Sequence, residues 1–494
     1  MGKQSPLYSV GTSGSAPFLP TSTDSEETLS TARFWLKECL KEHTECGMRS
    51  VSRAKSAPVK LPTRLIYFGE AQGQLAPRLV LTSASSTLEA TSYFTLSPSW
   101  SITTKATSLK LRTENLQKLQ EAIPLESLPQ TFRDAMGMTR RLGYQYIWID
   151  SLCIIQNSHE DWENEAVTMC DVHGNSACTI AASGPAKWDR CYVQRNPLPL
   201  FPCHINVANH HIPVYAVPYD WNWDFDEMNK DSHIFQRGWI MQERLLSSRV
   251  IFTGHSQFHW ECCHFRTNEA FTFAFGAGPN ITQLPQLTFH ALCDPEHSAT
   301  DVAHSTGMPL DPDILEVYSL WTKLLSDYPK MDLSYQSDKL MALAGIVKAV
   351  QDSRGWTNVA GTWKEFWPLE LLWRPTLSKM KAKLTPTGLG LPSWSWAATE
   401  EPKLMGQGYY YYRSRGIRGP FMAEFVDFCE VSPLQQARCT TVPSPRLTIK
   451  SLVWRGYLKV CVPPSTERGP TYVFTRLKWH KDDPFSQLTS LSCS

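Results

Sequence analysis

From Tyr93 to Ala182 short apolar runs alternate with stretches of helical period. Tyr93-Phe-Thr-Leu96 reads as a strand. Leu128 to Leu142 reads as a helix: Phe132, Ala135, Met136, Thr139 and Leu142 recur every three or four residues, and Gly143 stops it. Tyr144 to Ile149 is apolar enough to be covered on both faces of a sheet. Ser158 caps a further helix whose first turns carry Glu160, Asp161, Glu163 and Glu165, where negative charge suits the positive helix start. Trp162, Ala166, Met169, Cys170 and His173 form its buried face, and Cys178 to Ala182 is a third strand. Strand, helix, strand, helix, strand predicts right-handed parallel crossovers in a layered α/β sheet.

Around this alternation the pattern weakens. Residues 1–30 are rich in Ser, Thr, Gly and Pro and read as a disordered leader, with no apolar targeting segment. An N-terminal extension over 31–91 holds a short amphipathic helix from Thr31 and a strand within Leu61 to Gly69. A core spans 92–263, in which Ile212 to Val217 is a strand, Gly238 to Leu246 a helix and Arg249 to Phe252 a strand. Residues 264–310 lack period and read as an insertion or linker; 311–494 form a mixed helical and β region, helical at Leu315 to Leu325 and Lys339 to Val350. Leu447 to Trp454 reads as a strand, and alternation in Pro392-Ser-Trp394-Ser-Trp396 predicts two indoles on one strand face.

Composition narrows the partners. The 48 basic and 47 acidic residues leave a net charge of +1, which gives no electrostatic case for nucleic acid or an anionic membrane. No apolar run reaches bilayer length. The 14 cysteines are scattered, several inside apolar runs, and read as reduced thiols in a cytoplasmic chain, with the sequon at Asn280 idle.

The segment Tyr146 to Gln156 runs from a buried strand into a polar tip carrying Asp150, Cys153 and Gln156. Ligands of open α/β sheets bind outside such carboxyl ends. Asp150 therefore faces a ligand or caps its own loop, and Gln156 offers its amide to a ligand or to the next loop. Cys153, flanked by Leu152, Ile154 and Ile155, reads as buried and inert. Trp239 and Glu243 share a helix face bracketed by Arg237 and Arg249, an arrangement that suits a diphosphate, a general base or a fastening salt bridge. Cys39, His43 and Cys46 could begin a zinc site, but no partner pair completes four ligands, so helix packing is preferred. His255, His259, Cys262, Cys263 and His264 are also dense, yet one strand over Phe252 to Trp260 would split them, and no metal is assigned.

Two blocks carry a resemblance. Trp148-Ile-Asp150-Ser-Leu-Cys153-Ile-Ile-Gln156 and Arg237-Gly-Trp239-Ile-Met-Gln242-Glu243, followed by Leu246-Ser-Ser-Arg249, resemble those of fungal heterokaryon incompatibility (HET) domain proteins. So do Trp35 to Cys46 and Pro392 to Ala397, so the resemblance runs from about residue 35 to 397. It implies a Toll/interleukin-receptor-like, flavodoxin-like α/β core with a mostly parallel sheet and long insertions. It also implies a cytosolic module of non-self recognition and incompatibility-triggered cell death, acting through protein contacts or self-association. Some relatives of that fold cleave NAD. On that alternative Glu243, Asp150 and Glu165 are the candidate carboxylates, and Trp148, Gln156, Arg237, Trp239, Gln242 and Arg249 would hold the dinucleotide as substrate, with no bound cofactor. The first block departs from the family's Leu-Ser-Tyr-x-Trp-Gly: here it reads Leu96-Ser-Pro98-Ser-Trp100-Ser101, losing a backbone donor and a glycine, which would make a catalytic crevice degenerate. His173 stands where Tyr is usual.

Overall fold

The computed structural model describes residues 19–44, 46, 60–69, 76–84, 92–98, 108–184, 189–195, 202–207, 210–215, 232–269, 285–293, 312–325, 328, 331–333, 335–366, 369–375, 391, 394–398 and four short strands beyond. Ser99, Trp100 and Ser101 of the altered block, residues 1–18, Val217, the sequon at Asn280 and the rest of residues 270–284 and 294–311 lie outside the described residues.

An eight-stranded sheet organises the molecule. Its strands are β1 (Arg64–Tyr67), β2 (Arg78–Leu81), β3 (Phe94–Ser97), β4 (Tyr146–Ile149), β5 (Cys178–Ala181), β8 (Arg249–Thr253), β9 (Phe258–Cys262) and β10 (Arg266–Asn268), in the order β10-β9-β8-β5-β3-β4-β1-β2. β6 (Pro202–Val207) and β7 (His210–Tyr215) form a separate hairpin. The four central strands β4, β3, β5 and β8 are mutually parallel, so they stand in the order second, first, third, fourth; antiparallel hairpins extend both edges. The predicted α/β class and its parallel core are therefore present, within a mixed sheet.

Ten α-helices are described: α1 (Glu26–Glu42), α2 (Leu116–Glu121), α3 (Gln130–Arg141), α4 (Asp150–Cys153), α5 (His159–Ala166), α6 (Met169–Gly174), α7 (Ile240–Leu246), α8 (Pro285–Cys293), α9 (Pro312–Leu325) and α10 (Met341–Arg354). Register fixes the sheet faces. Leu96, Ile149, Ile180, Ile251 and Trp260 form one row, and Trp35 of α1 meets Trp260 with ring centroids 6.3 Å apart. Trp148, Thr95, Thr179, Val250 and Glu261 form the next row on the opposite face, where α6 brings His173 against Trp148. α3 lies beside α1, tied to it by Arg141 with Asp24 and Glu26. The step from β3 to β4 thus runs over one face, and the reverse steps to β5 and β8 run over the other, as crossovers of one hand require.

The predicted stripe of α3 is buried at all five positions, and Gly143 takes φ +98° to end it. Ser158 accepts from the Asp161 amide as the predicted cap. Several expectations are corrected. α1 begins at Glu26, capped by Ser25, so part of the leader is helical. The helix after Ser158 breaks at Val167 and Thr168, the latter turning its hydroxyl onto the Glu165 carbonyl. Phe252 to Trp260 is a hairpin turned at Gly254–Gln257, not one strand. The supposed insertion contains β10 and α8. Trp394 and Trp396 sit in a turn leading into a 3-10 helix, where Trp396 is buried and donates to the Gly361 carbonyl at 2.7 Å.

Candidate functional site

The carboxyl ends of the parallel strands gather part of the predicted set. Leu96 and Ile149 are register partners, so Pro98 and Asp150 follow from adjacent strand tips. Asp150 opens α4, and its Oδ1 accepts from the Ser151 amide at 2.7 Å. Gln156 folds back and donates to the carbonyls of Asp150 and Ile154 at 3.3 and 3.0 Å, so its side chain closes its own loop. Arg237 donates to the Pro98 carbonyl at 2.5 Å, which places the second block on the tip of β3. Trp239 meets Trp162 of α5 edge to face, with centroids 6.2 Å apart. Glu243 lies one turn further on, half-buried, with Oε2 enclosed and unpartnered.

The other candidates are held elsewhere. Trp148 is buried against His173 in the sheet's covered face and offers no ring to a ligand. Burial holds His173 down to about 3, so that imidazole is neutral. Gln242 is buried, and its Oε1 accepts from the Gly345 amide of α10 at 3.2 Å. Arg249 donates to the Ala177 carbonyl and the Cys39 sulfur, at the amino ends of β5 and β8. Arg237 and Arg249 therefore stand at opposite ends of the sheet and cannot clasp one diphosphate. Glu165 is paired with Arg64 at 3.4 Å; burial pushes its carboxyl up, against the pull of the Thr63 contact and of Arg64. Cys153 is buried with its thiol raised by desolvation, the inert cysteine the apolar run predicted.

Arg64 is the site residue that pattern reading passed over. It donates to the Cys153 carbonyl at 2.7 Å and pairs with Asp161 and Glu165, so one buried guanidinium ties β1 to the tip of β4 and to α5. A cation inside an apolar strand is the signal: once buried, it requires carboxylates, and the acidic turns of α5 supply them.

Two contacts fix the second block to the C-terminal region. Gly238 donates to the Asp332 carbonyl at 2.8 Å and Asp332 to the Gln236 carbonyl at 2.5 Å, and a Cβ on Gly238 would lie 2.5 Å from the Leu333 side chain. Gly345 is as constrained, since a Cβ there would lie 2.8 Å from Leu246, 3.0 Å from the Gln242 oxygen and 3.2 Å from the Cys170 amide nitrogen. Met241, Leu245 and Leu246 join an apolar cluster with Tyr318, Trp321, Leu343 and Ile346. Beneath α7, Thr95, Thr179 and Ser247 form a hydroxyl chain with 2.6 and 2.5 Å links, and Ser247 donates to the Glu243 carbonyl at 2.6 Å. A polar cleft of about 340 Å³ lies elsewhere, between the N-terminal segment and α3; Asp24, Asp134, Arg190 and Tyr192 line it, and it contains none of the candidates.

The geometry defines a three-layer α/β domain whose second motif helix is shared with a helical C-terminal region. The family model described as heterokaryon incompatibility protein (HET) matches residues 93–243, and the chain carries a heterokaryon incompatibility domain there. The match opens one residue before β3 and ends within α7; the sheet continues past it on both edges. No curated protein and no solved structure gives a significant match. Among the described residues no helix is long and apolar enough to cross a membrane.

Proposed function

We propose that the chain is a signalling module of heterokaryon incompatibility, acting in the cytoplasm of a fungal cell. It works through protein contacts at the carboxyl ends of its parallel strands, and its output reaches the C-terminal helices through α7. One observation carries this reading: the second block is clamped between the tip of β3, through Arg237, and the C-terminal region, through Asp332 and Gly345. A segment with contacts on both sides is placed to couple them, and the coupling itself is what a measurement must show. The strand order second, first, third, fourth is that of flavodoxin-like sheets and supports a Toll/interleukin-receptor-like ancestry.

A second reading, NAD cleavage, is favoured by the enclosed, unpartnered Oε2 of Glu243 beside Trp239. Such a carboxylate could stabilise a ribosyl cation. Four of its companion residues, Trp148, Gln242, Arg249 and Glu165, are engaged in packing or at the far end, which weighs against an assembled pocket.

Induced expression of the full chain in a fungal host, following viability and cellular NAD together, separates the two. The contact reading predicts death with NAD maintained and with Glu243→Ala retaining activity. NAD loss that precedes death and vanishes in Glu243→Ala would replace it with the enzymatic reading; survival of cells expressing the chain would remove both.

A further inference from the structure

Cys39 and His43 are four residues apart at the end of α1 and therefore share a face, and Cys46 follows three positions on. The missing ligand comes from a distant element: Cys262, the last residue of β9. The three sulfurs and the imidazole nitrogen lie within 4.8 Å of one another. Cys262 Sγ is 3.7 Å from His43 Nδ1, and the two residues are 219 positions apart in sequence. In a tetrahedral zinc centre with ordinary bond lengths the sulfur-to-nitrogen edge is about 3.5 Å. The packing of α1 on the sheet already holds these atoms near that spacing.

The surroundings match what such a centre needs. Three thiolates and a neutral imidazole around Zn²⁺ leave one net negative charge in a buried place, which is costly unless it is countered. The buried Arg249 guanidinium donates from Nε to Cys39 Sγ at 3.1 Å and supplies the balancing positive charge. The His264 amide donates to Cys262 Sγ at 3.4 Å, and the His264 ring stacks on His43 at 4.4 Å, orienting two ligands from outside the cluster. The soft thiolate-rich set selects zinc over magnesium or calcium.

We propose that Cys39, His43, Cys46 and Cys262 form a structural Zn²⁺ site that staples α1 to the edge of the sheet. Binding replaces three thiol protons, which leave to solvent, by one metal ion. The ion closes four positions with protein ligands and leaves none for substrate, so its role is to hold the fold. Arg249, the last residue of the second block, acts as the charge partner of the centre.

The test uses the full chain purified from zinc-supplied cells. Elemental analysis is expected to give about one zinc per chain, falling at least roughly fivefold in Cys262→Ser and remaining in Cys263→Ser. Because Cys262→Ser could fail to fold, the native chain is also exchanged with Co²⁺, expected to show the intense thiolate-to-cobalt absorption of a tetrahedral thiolate site. Chelation of the native chain is expected to lower its melting temperature, and zinc to restore it. A folded chain without zinc whose melting ignores both zinc and chelator overturns the site. So does a cobalt form lacking thiolate absorption, a disulfide among these cysteines in freshly purified protein, or zinc retained in Cys262→Ser and lost in Cys263→Ser.

Discussion

Glu261, beside the amino end of β8, and Glu165, beside the tip of β4, are both buried carboxylates in very different company. Arg244 donates to Glu261 from Nε and a terminal nitrogen at 2.8 and 2.6 Å, and Arg266 does so at 3.0 and 2.6 Å. Burial alone would raise this carboxyl, but the two guanidinium groups outweigh it and hold it at about 2. Glu165 shares the single Arg64 with Asp161, keeps Oε2 unpartnered and is pushed up by burial. The hydroxyls of Ser97 and Ser151, at the tips of β3 and β4, are also buried and unpartnered. Enclosed polar groups without partners cost stability and mark places where a ligand, a partner or strain is accommodated. The carboxylate beside the amino end of β8 is therefore fully paired, and the one beside the tip of β4 is left partly uncompensated.

The largest effect is expected from Glu261→Ala, which strips the carboxylate from two guanidinium groups and should cost on the order of 3–5 kcal/mol in urea unfolding. Arg64→Met leaves Asp161 and Glu165 uncompensated and should cost roughly 3 kcal/mol; a far smaller loss would show that the β4 tip does not depend on this ion pair. Gly345→Ala forces a Cβ against a backbone nitrogen and should cost about 1–3 kcal/mol, read as a lower melting temperature. Ser97→Ala, which removes an orphaned hydroxyl, should stay within about 1 kcal/mol of the native chain or exceed it.

Acidity separates the two ends further. Glu261 is depressed from an unfolded value near 4.5 to about 2, so its contribution is present above about 4.5 and is lost as pH falls toward 2. Glu165 is raised, so its contribution runs the other way: it is greatest below its unfolded value near 4.5 and diminishes as pH climbs through its folded value. Stability against pH for Glu261→Gln should lose the acid slope, and for Glu165→Gln the opposing one. Identical profiles in both variants would contradict the contrast.

Local pattern carried the elements of the core because burial on both faces demands it: the α3 stripe, the Ser158 cap and the apolar β4 run are visible residue by residue. The edges were less legible. Gly254 to Gln257 turns a run that reads as one strand, and β10 pairs with β9 over three residues, with Arg266 meeting Glu261 across the sheet. The candidate site was legible as motif and not as geometry. Arg237 and Arg249 bracket one helix in sequence, yet the helix runs from one end of the sheet to the other and separates them. The meeting of Cys262 with Cys39, His43 and Cys46 is not legible in the sequence because Cys262 comes from a strand more than two hundred residues away.

On the proposed function, α7 couples the strand tips to the C-terminal helices. Hydrogen exchange of the α10 amides, compared between the native chain and Arg237→Ala, tests it most directly. Exchange around Gly345 and Ile346 is expected to be faster in the variant, because removing the guanidinium frees α7 from the Pro98 carbonyl at the tip of β3. Unchanged protection across α10, with Arg237→Ala otherwise folded, would contradict it.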